Sequence, residues 1–471
     1  MTHPFPLTAV PQTAFPLTAP DGLQAMAAEA PVLAERSMKR RRTAMLLMLA
    51  FIYSLNYLDR QIVVILQEPI KADFGLADWE LGLLTGGAFG LFYTAMGIPI
   101  AHVIDRGVNR VRLIAAFTAT WSVMTALCGL TRNFAQFFGA RMGVGLAEAG
   151  FAPAAHSLIS DLYPPRERSA AAGLFAIGVP VGIMAGLSIG GIVAQATDWR
   201  TALLLAGAPG ILIAIIFPLL AREPARGAME DAAHAGRDGQ PPPASFLQGL
   251  RILARRPAFV HVVAGSAAMA FAQTGIAAWM PSFLIRNHGM NLAQVGLSLG
   301  LLSGLCGATG TWVGGWQGTR LGRWGLHMAL LLPIVGVLLC GPLYIAALLM
   351  PDGPSTLLML IPAILLGALW TAPSIALTQS LAPVAMRARA SAVYIVAANL
   401  IGVSMGPLVA GILSDWFAGL RGGNSAMGLR DAMMSLNVLF LLGAWHWTLA
   451  ARSLRREAAA LHHPSPGAEW K

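Results

Sequence analysis

Ala152-Pro153, then Tyr163-Pro164, then Arg166-Glu167-Arg168-Ser169-Ala170: this stretch returns later in the chain as Ala372-Pro373, Ala382-Pro383 and Arg387-Ala388-Arg389-Ala390-Ser391. The offsets are 220, 219 and 221 residues. A weaker echo sets Asp105-Arg106 with Arg110 against Thr319-Arg320 with Arg323. The chain reads as a duplicated unit. Between its copies lies the longest polar stretch, which carries Pro241-Pro242-Pro243 and charges of both signs.

Each copy is built for lipid. Hydrophobic residues make up 56% of the chain and charged residues 11%, far from the balance of a water-soluble domain. A membrane-crossing helix needs about 20 apolar residues. Twelve such stretches are present: 43–67, 80–103, 111–131, 134–158, 169–194, 201–221, 259–286, 292–316, 325–349, 356–380, 390–416 and 430–451. No alternating strand pattern competes, so a β-barrel is not expected. The expected fold is all-α, with twelve transmembrane helices in two pseudo-symmetric six-helix bundles. The expected divisions are a disordered tail at 1–42, a bundle at 43–221, a linker at 222–258, a second bundle at 259–451 and a tail at 452–471. Parallel repeats of this kind place a transporter's site at the interface between halves.

The arginines set the orientation. With the N-terminus inside, 24 of the 32 Lys and Arg residues fall on the cytoplasmic side and six outside, leaving Arg60 and Arg141 within the membrane. The positive-inside rule therefore predicts both ends in the cytoplasm, as in a protein of the plasma (inner) membrane. It also accounts for the net charge of +10 without a nucleic-acid partner, because these cations face anionic headgroups.

Asp59, Arg141 and Glu148 lie deep inside apolar runs. A charge at the bilayer centre costs about 2.5–3.5 kcal/mol on insertion scales, so such residues mark a functional site. At 1.5 Å per residue, Asp59 lies about 24 Å from Thr43, while Arg141 and Glu148 lie about 11 and 21 Å in from the outer end of span four. Seven residues separate Arg141 from Glu148, two turns along one helix face. Arg141 is expected to alternate between Asp59 and Glu148 as those carboxylates gain and lose protons. A static structural ion pair is the competing expectation.

The segment Gly97-Ile98-Pro99-Ile100-Ala101-His102-Val103-Ile104-Asp105-Arg106-Gly107-Val108-Asn109-Arg110 resembles the signature loop of the major facilitator superfamily. Arg141-Met142-Gly143-Val144-Gly145-Leu146-Ala147-Glu148-Ala149-Gly150 matches its arginine-then-glycines signature in span four. Asn56-Tyr57-Leu58-Asp59-Arg60, with Ile159-Ser160-Asp161-Leu162-Tyr163-Pro164, is similar to the Spinster-like branch. The resemblance covers about residues 40–455. It implies that the acids and the arginine serve proton coupling. It further implies that Asp105 meets the start of span eleven near Ser391, with Arg106, Arg110 and Asp161 completing a cytoplasmic gate. Spans one, four, seven and ten would line a central cavity, with Asn56, Tyr57, Gln273, Trp279, Trp370 and Thr371 as candidate lining residues. The branch points to an amphipathic lipid as substrate. A small organic acid or drug stays open, as does a membrane receptor that has lost transport.

Span five carries glycine at every fourth position, Gly178, Gly182, Gly186 and Gly190, with Pro180 among them; Gly402, Gly406 and Pro407 echo the pattern in span eleven. Such spacing lets another helix approach closely. Both are expected to be half-to-half seams and hinges. Gly186-Leu187-Ser188-Ile189-Gly190 and Gly296-Leu297-Ser298-Leu299-Gly300 spell a hydrolase nucleophile motif, but that motif needs a strand-turn-helix context that apolar spans do not offer. No phosphate-binding Gly-x-x-x-x-Gly-Lys loop and no His-x-x-x-His pair occurs, and the three cysteines have no metal-ligand spacing. No catalytic residue, metal or cofactor is expected. The expected partners are the bilayer, protons and a small-molecule or lipid substrate, handled by a monomer.

Overall fold

The computed structural model describes residues 21–227, 229, 246–383 and 386–462. Among them every ordered element is helical, and helices occupy all twelve expected stretches. Among the described residues nine helical segments are long and apolar enough to cross a membrane, and ten with the bent pair Met38–Ile65 and Gln67–Phe74. The remaining two, spans two and four, are interrupted. Span two enters through a short helix, Asp78–Gly82, whose first turn stands outside the apolar run, then a π-helical turn, Leu83–Gly87, then Ala88–Asp105. Span four divides into Phe134–Glu148 and Phe151–Leu162. At that break a Cβ on Gly150 would lie 2.1 Å from the Phe117 ring, so only glycine fits.

The first helix runs back to Asp21, through most of the tail expected to be disordered. Ala25, Ala27, Ala28, Ala30 and Ala34 explain this, since alanine is the strongest helix former. Residues 1–20 and 463–471 lie outside the description, as do residues 230–245 of the linker. A short amphipathic helix, Phe246–Ala254, leads from the linker into span seven. The membrane face that carries this connection is called the linker side below, and the opposite face the far side.

Helix starts are written locally. Asn109, Asn133, Asp198, Asn291, Asp352 and Asn424 each accept a backbone N–H from the first turn of the following helix. Caps of this type are worth about 1 kcal/mol each and fix where the chain re-enters the apolar layer.

Packing between spans corrects the expected seams. The stripe Gly178, Gly182 and Gly186 lies on span one of its own half: a Cβ on Gly182 would come 2.3 Å from the Ser54 carbonyl oxygen, and one on Gly186 2.7 Å from that of Leu58. Gly190 continues the stripe against Ile62 and Ile65. Gly402 and Gly406 repeat the arrangement on span seven, against Ala270 and the Phe271 carbonyl. Four-residue spacing announces a close neighbour, but it does not say which helix that neighbour is.

The halves meet elsewhere. Gly82, Gly86 and Gly90 of span two press on residues 403–408 of span eleven, where Cβ atoms would lie 2.2–2.7 Å from Pro407 O, Ser404 O and Ser404 Oγ. Gly296, Gly300 and Gly304 of span eight press on residues 180–191 of span five. The two glycine triplets are 214 residues apart, so the duplication is preserved in the seam. Pro180 and Pro407 do stand at these boundaries, through their carbonyl oxygens. A second π-helical stretch, Ala398–Met405, faces the one in span two. Such turns are rare and concentrate at functional sites.

Candidate functional site

Four charges sit inside the first half. Asp59 and Glu148 are buried, as is Arg141. The Arg60 guanidinium Nε donates to Glu148 Oε2 at 2.7 Å, and the Arg60 side chain is 17% exposed against 0% for Glu148. Tyr57, Phe89 and Tyr93 surround Arg60, with ring centroids 4.8, 4.5 and 4.8 Å from its central carbon. Ring faces carry partial negative charge, so this cage and one carboxylate together replace the arginine's hydration.

Asp59 accepts the Thr125 hydroxyl of span three at 3.2 Å. Arg141 reaches the Asp59 backbone carbonyl at 3.4 Å and stands 5.6 Å from the Phe89 ring. Asp59 Oδ1, Glu148 Oε1 and Arg141 Nε are buried with no hydrogen-bond partner among the described residues. Buried polar atoms are nearly always paired, so these three mark an unfinished network poised to take another partner. Asn56 is buried on the same helix beside Glu148, and neither of its amide atoms makes a hydrogen bond among the described residues. The structure therefore brings Asn56, Tyr57, Asp59, Arg141 and Glu148 together, but the expected pairing differs. In this conformation Arg60, not Arg141, holds Glu148. The signal for Arg60 was present: it is a fourth charge in an apolar run, with Tyr57 three residues before it on the same helix face.

In the second half the interior is neutral. Gln273 Nε2 donates to the Gly367 carbonyl at 3.1 Å, and its Oε1 accepts the Trp370 indole at 3.3 Å. Trp370 also lies 5.9 Å from the Trp447 ring, and Thr371 is half-buried at the start of the next helical segment. Trp279 departs from the expectation. It is fully buried and donates to the Pro407 carbonyl at 2.9 Å, so here it packs span seven onto span eleven rather than lining a cavity.

The expected gate residues are only partly assembled. Arg110 is buried, bonded to Asp161 at 2.5 Å, to Ser157 Oγ at 2.8 Å and to Glu223 at 2.7 Å. Asp161 also accepts the Gly227 backbone N–H at 2.9 Å. All of these partners belong to the first half or to the start of the linker, so among the described residues the cluster ties the linker down. Arg106 is exposed. The Asp105 side chain lies outside the described residues, and Ser391 accepts from Gln379 at 3.1 Å.

A cluster that joins the halves does exist, on the far side. Arg286 of span seven donates to both oxygens of Asp78 at 2.8 Å and to Glu68 at 2.9 Å. Lys71 pairs with Asp78, and Ser414 donates to Asp78 at 2.6 Å. Asp415 of span eleven accepts the N–H groups of Asp78 and Trp79 at 3.1 and 2.8 Å, capping the helix that leads into span two. Ser282 donates to Gln67 at 3.0 Å. Burial pushes the Asp78 carboxyl up, but Arg286 and then Lys71 outweigh it and hold it at about 2. In the sequence Lys71 and Arg286 register only among the six outside cations that set orientation.

The family model of the major facilitator superfamily matches residues 49–407. The chain belongs to that superfamily. Within it, the chain is 34% identical over 432 residues to an MFS-type efflux pump of Mycolicibacterium smegmatis, covering 90% of this chain and 96% of the pump. It is 29% identical over 393 residues to protein spinster homolog 1 of Rattus norvegicus, covering 79% and 73%. A solved bacterial homolog of the human lysosomal transporter Spinster, inward-facing and unoccupied, superposes with a TM-score of 0.80 at 30% identity, covering 88% of this chain and 98% of the other. This superfamily member is Spinster-like, a multi-pass membrane transporter.

Proposed function

We propose that this chain is a proton-coupled secondary transporter that works by alternating access, and that the Arg60–Glu148 pair with Asp59 and Arg141 is its coupling site. The single observation that carries this reading is that cluster. Two buried carboxylates share two arginines with one oxygen of each carboxylate and one guanidinium nitrogen left over. Protonating Glu148 would release Arg60, and ionising Asp59 would draw Arg141 from the backbone carbonyl to the side chain. Each proton crossing 100 mV provides about 2.3 kcal/mol, enough to move the halves between two closed states.

The far-side latch and the two glycine seams support a conformation closed on that side. The linker side is then the cytoplasmic side of the plasma (inner) membrane, with both termini there, and the working unit is a monomer. The substrate is an amphipathic molecule with an anionic head, a lysophospholipid being the first choice. Its head would meet Arg60 or Arg141, and Gln273, Trp370 and Thr371 would offer neutral contacts opposite. Relatives named as an efflux pump and a probable L-galactonate transporter favour a second reading, a smaller organic anion.

Reconstitution into vesicles with an imposed pH gradient tests both. Proton movement on adding a lysophospholipid, absent with an aromatic acid, supports the first choice; the reverse supports the second. No proton movement with either, from protein that still accumulates substrate, would remove coupling from the account.

A further inference from the structure

Span eight ends on the linker side with Trp312, Trp316 and Arg320, four residues apart along one helix, and Trp324 follows in the turn just past its end. Trp312, Trp316 and Trp324 are 68%, 50% and 73% exposed. Trp312 and Trp316 are stacked, 6.2 Å apart and 4° from parallel, and the Arg320 guanidinium lies 5.4 Å over Trp316. A cavity of about 360 Å³ opens there, lined by Trp316, Thr319, Arg320 and Arg323. Neither arginine has a carboxylate partner among the described residues, and both are exposed.

The duplicated half answers the same problem differently. At the 214-residue register, Arg106 corresponds to Arg320, Asn109 to Arg323 and Arg110 to Trp324. In the first half Arg110 is buried and neutralised by Asp161 and Glu223. In the second half its place is taken by an exposed tryptophan, Thr319 stands where Asp105 stood, and a second arginine replaces the helix cap. The acids are gone and the cations remain. Tryptophan favours the headgroup level of a bilayer, and clustered arginines there attract anionic lipid. Above the cavity the exposed Leu305 and Leu301 continue the stripe up span eight, a wall suited to an acyl chain.

We infer that the linker-side end of span eight is a binding site for an anionic glycerophospholipid, whose phosphate sits between Arg320 and Arg323 beside Trp316 while its chains lie along Trp312, Leu305 and Leu301. This site lies apart from the proposed coupling residues and does not depend on that reading.

The test is native mass spectrometry of the purified full chain titrated with phosphatidylglycerol and phosphatidylcholine. The wild type should retain phosphatidylglycerol selectively. Arg320→Gln with Arg323→Gln should weaken that retention by roughly thirtyfold, from the attraction typical of two arginines at an anionic surface. Arg320→Lys with Arg323→Lys should keep most of it, which separates lost charge from lost folding. Arg112→Gln, an exposed arginine on the same side of the first half, should leave it unchanged. Equal retention by the double glutamine variant, or an equal loss in Arg112→Gln, would overturn the assignment. So would full competition by glycerol phosphate, which would mark a site for free anions.

Discussion

In the first half Arg60 and Glu148 meet at 2.7 Å inside a cage of three aromatic rings. In the second, Gln273 stands 214 residues after Asp59, and what it offers is an amide bonded to a carbonyl and an indole. The same register relates the glycine triplets at 82, 86, 90 and 296, 300, 304, which build equivalent seams. Duplication thus conserved the mechanical surface and let the interiors diverge. One half holds ionisable groups at high desolvation cost, and the other holds neutral hydrogen bonds that cost little. A rocking carrier needs symmetry where its halves slide, and needs charge in only one place to bias the rocking.

The largest effects should come from the charged half. Glu148→Gln, or Asp59→Asn, should abolish uphill accumulation driven by a pH gradient, a loss of at least about 100-fold, while downhill exchange persists. Full accumulation in either variant would reduce Arg60–Glu148 to a structural pair.

Next comes the far-side latch. Arg286→Gln leaves Asp78 and Glu68 without their main partner, and breaking a buried pair costs about 3–5 kcal/mol. Accessibility of a far-side cysteine to an impermeant thiol reagent should rise accordingly; an unchanged rate would mean the seams alone hold that side shut.

Symmetry itself can be broken at the seams. Gly82→Ala and Gly296→Ala each force a Cβ to within 2.4 and 2.3 Å of a carbonyl oxygen in the other half. Overpacking of this kind costs about 1–3 kcal/mol, and both variants should open the far side to a similar degree. A large effect in one and none in the other would show that the seams are not equivalent.

Gln273→Leu should be mild, within about thirtyfold on apparent substrate affinity, since it removes two neutral hydrogen bonds worth about 1 kcal/mol each.

The smallest expected effect is on the pH response of the latch. With its carboxyl held at about 2, Asp78 contributes fully above the ordinary aspartate value and is lost only as pH falls through about 2. Between pH 5 and 8 the latch should therefore not respond, and any conformational change in that window belongs to other groups. Thiol accessibility in Asp59→Asn with Glu148→Gln that still varies over pH 5–8 would contradict this.

Much of the fold was legible because lipid leaves so few choices. Long apolar runs must be helices, and a 220-residue echo makes two halves of them. Asp59, Arg141 and Glu148 were legible by the cost of burying them. Partnership was not legible. Arg60 follows Asp59 directly, yet adjacent helical residues point about 100° apart, and only packing reveals that one faces Glu148 and the other Thr125. Span five shows the same limit: its glycines announced close approach without naming span one. The register that names the true seam was present in the two triplets, spaced as the Asp105–Thr319 echo is spaced. Asp415 and Arg286 could not be foreseen, since a charge at the end of a span looks the same whether it meets water or the other half.

The most direct test of the central claim needs no substrate. Spin labels on the far-side loops of the two halves, at Arg132→Cys and Pro351→Cys in a background with Cys128, Cys306 and Cys340 replaced, report the distance between halves by pulsed electron paramagnetic resonance. The account predicts a distance distribution that shifts between pH 5 and 8 in the otherwise unaltered chain and is frozen in Asp59→Asn with Glu148→Gln. A double variant that shifts as the parent does would contradict it.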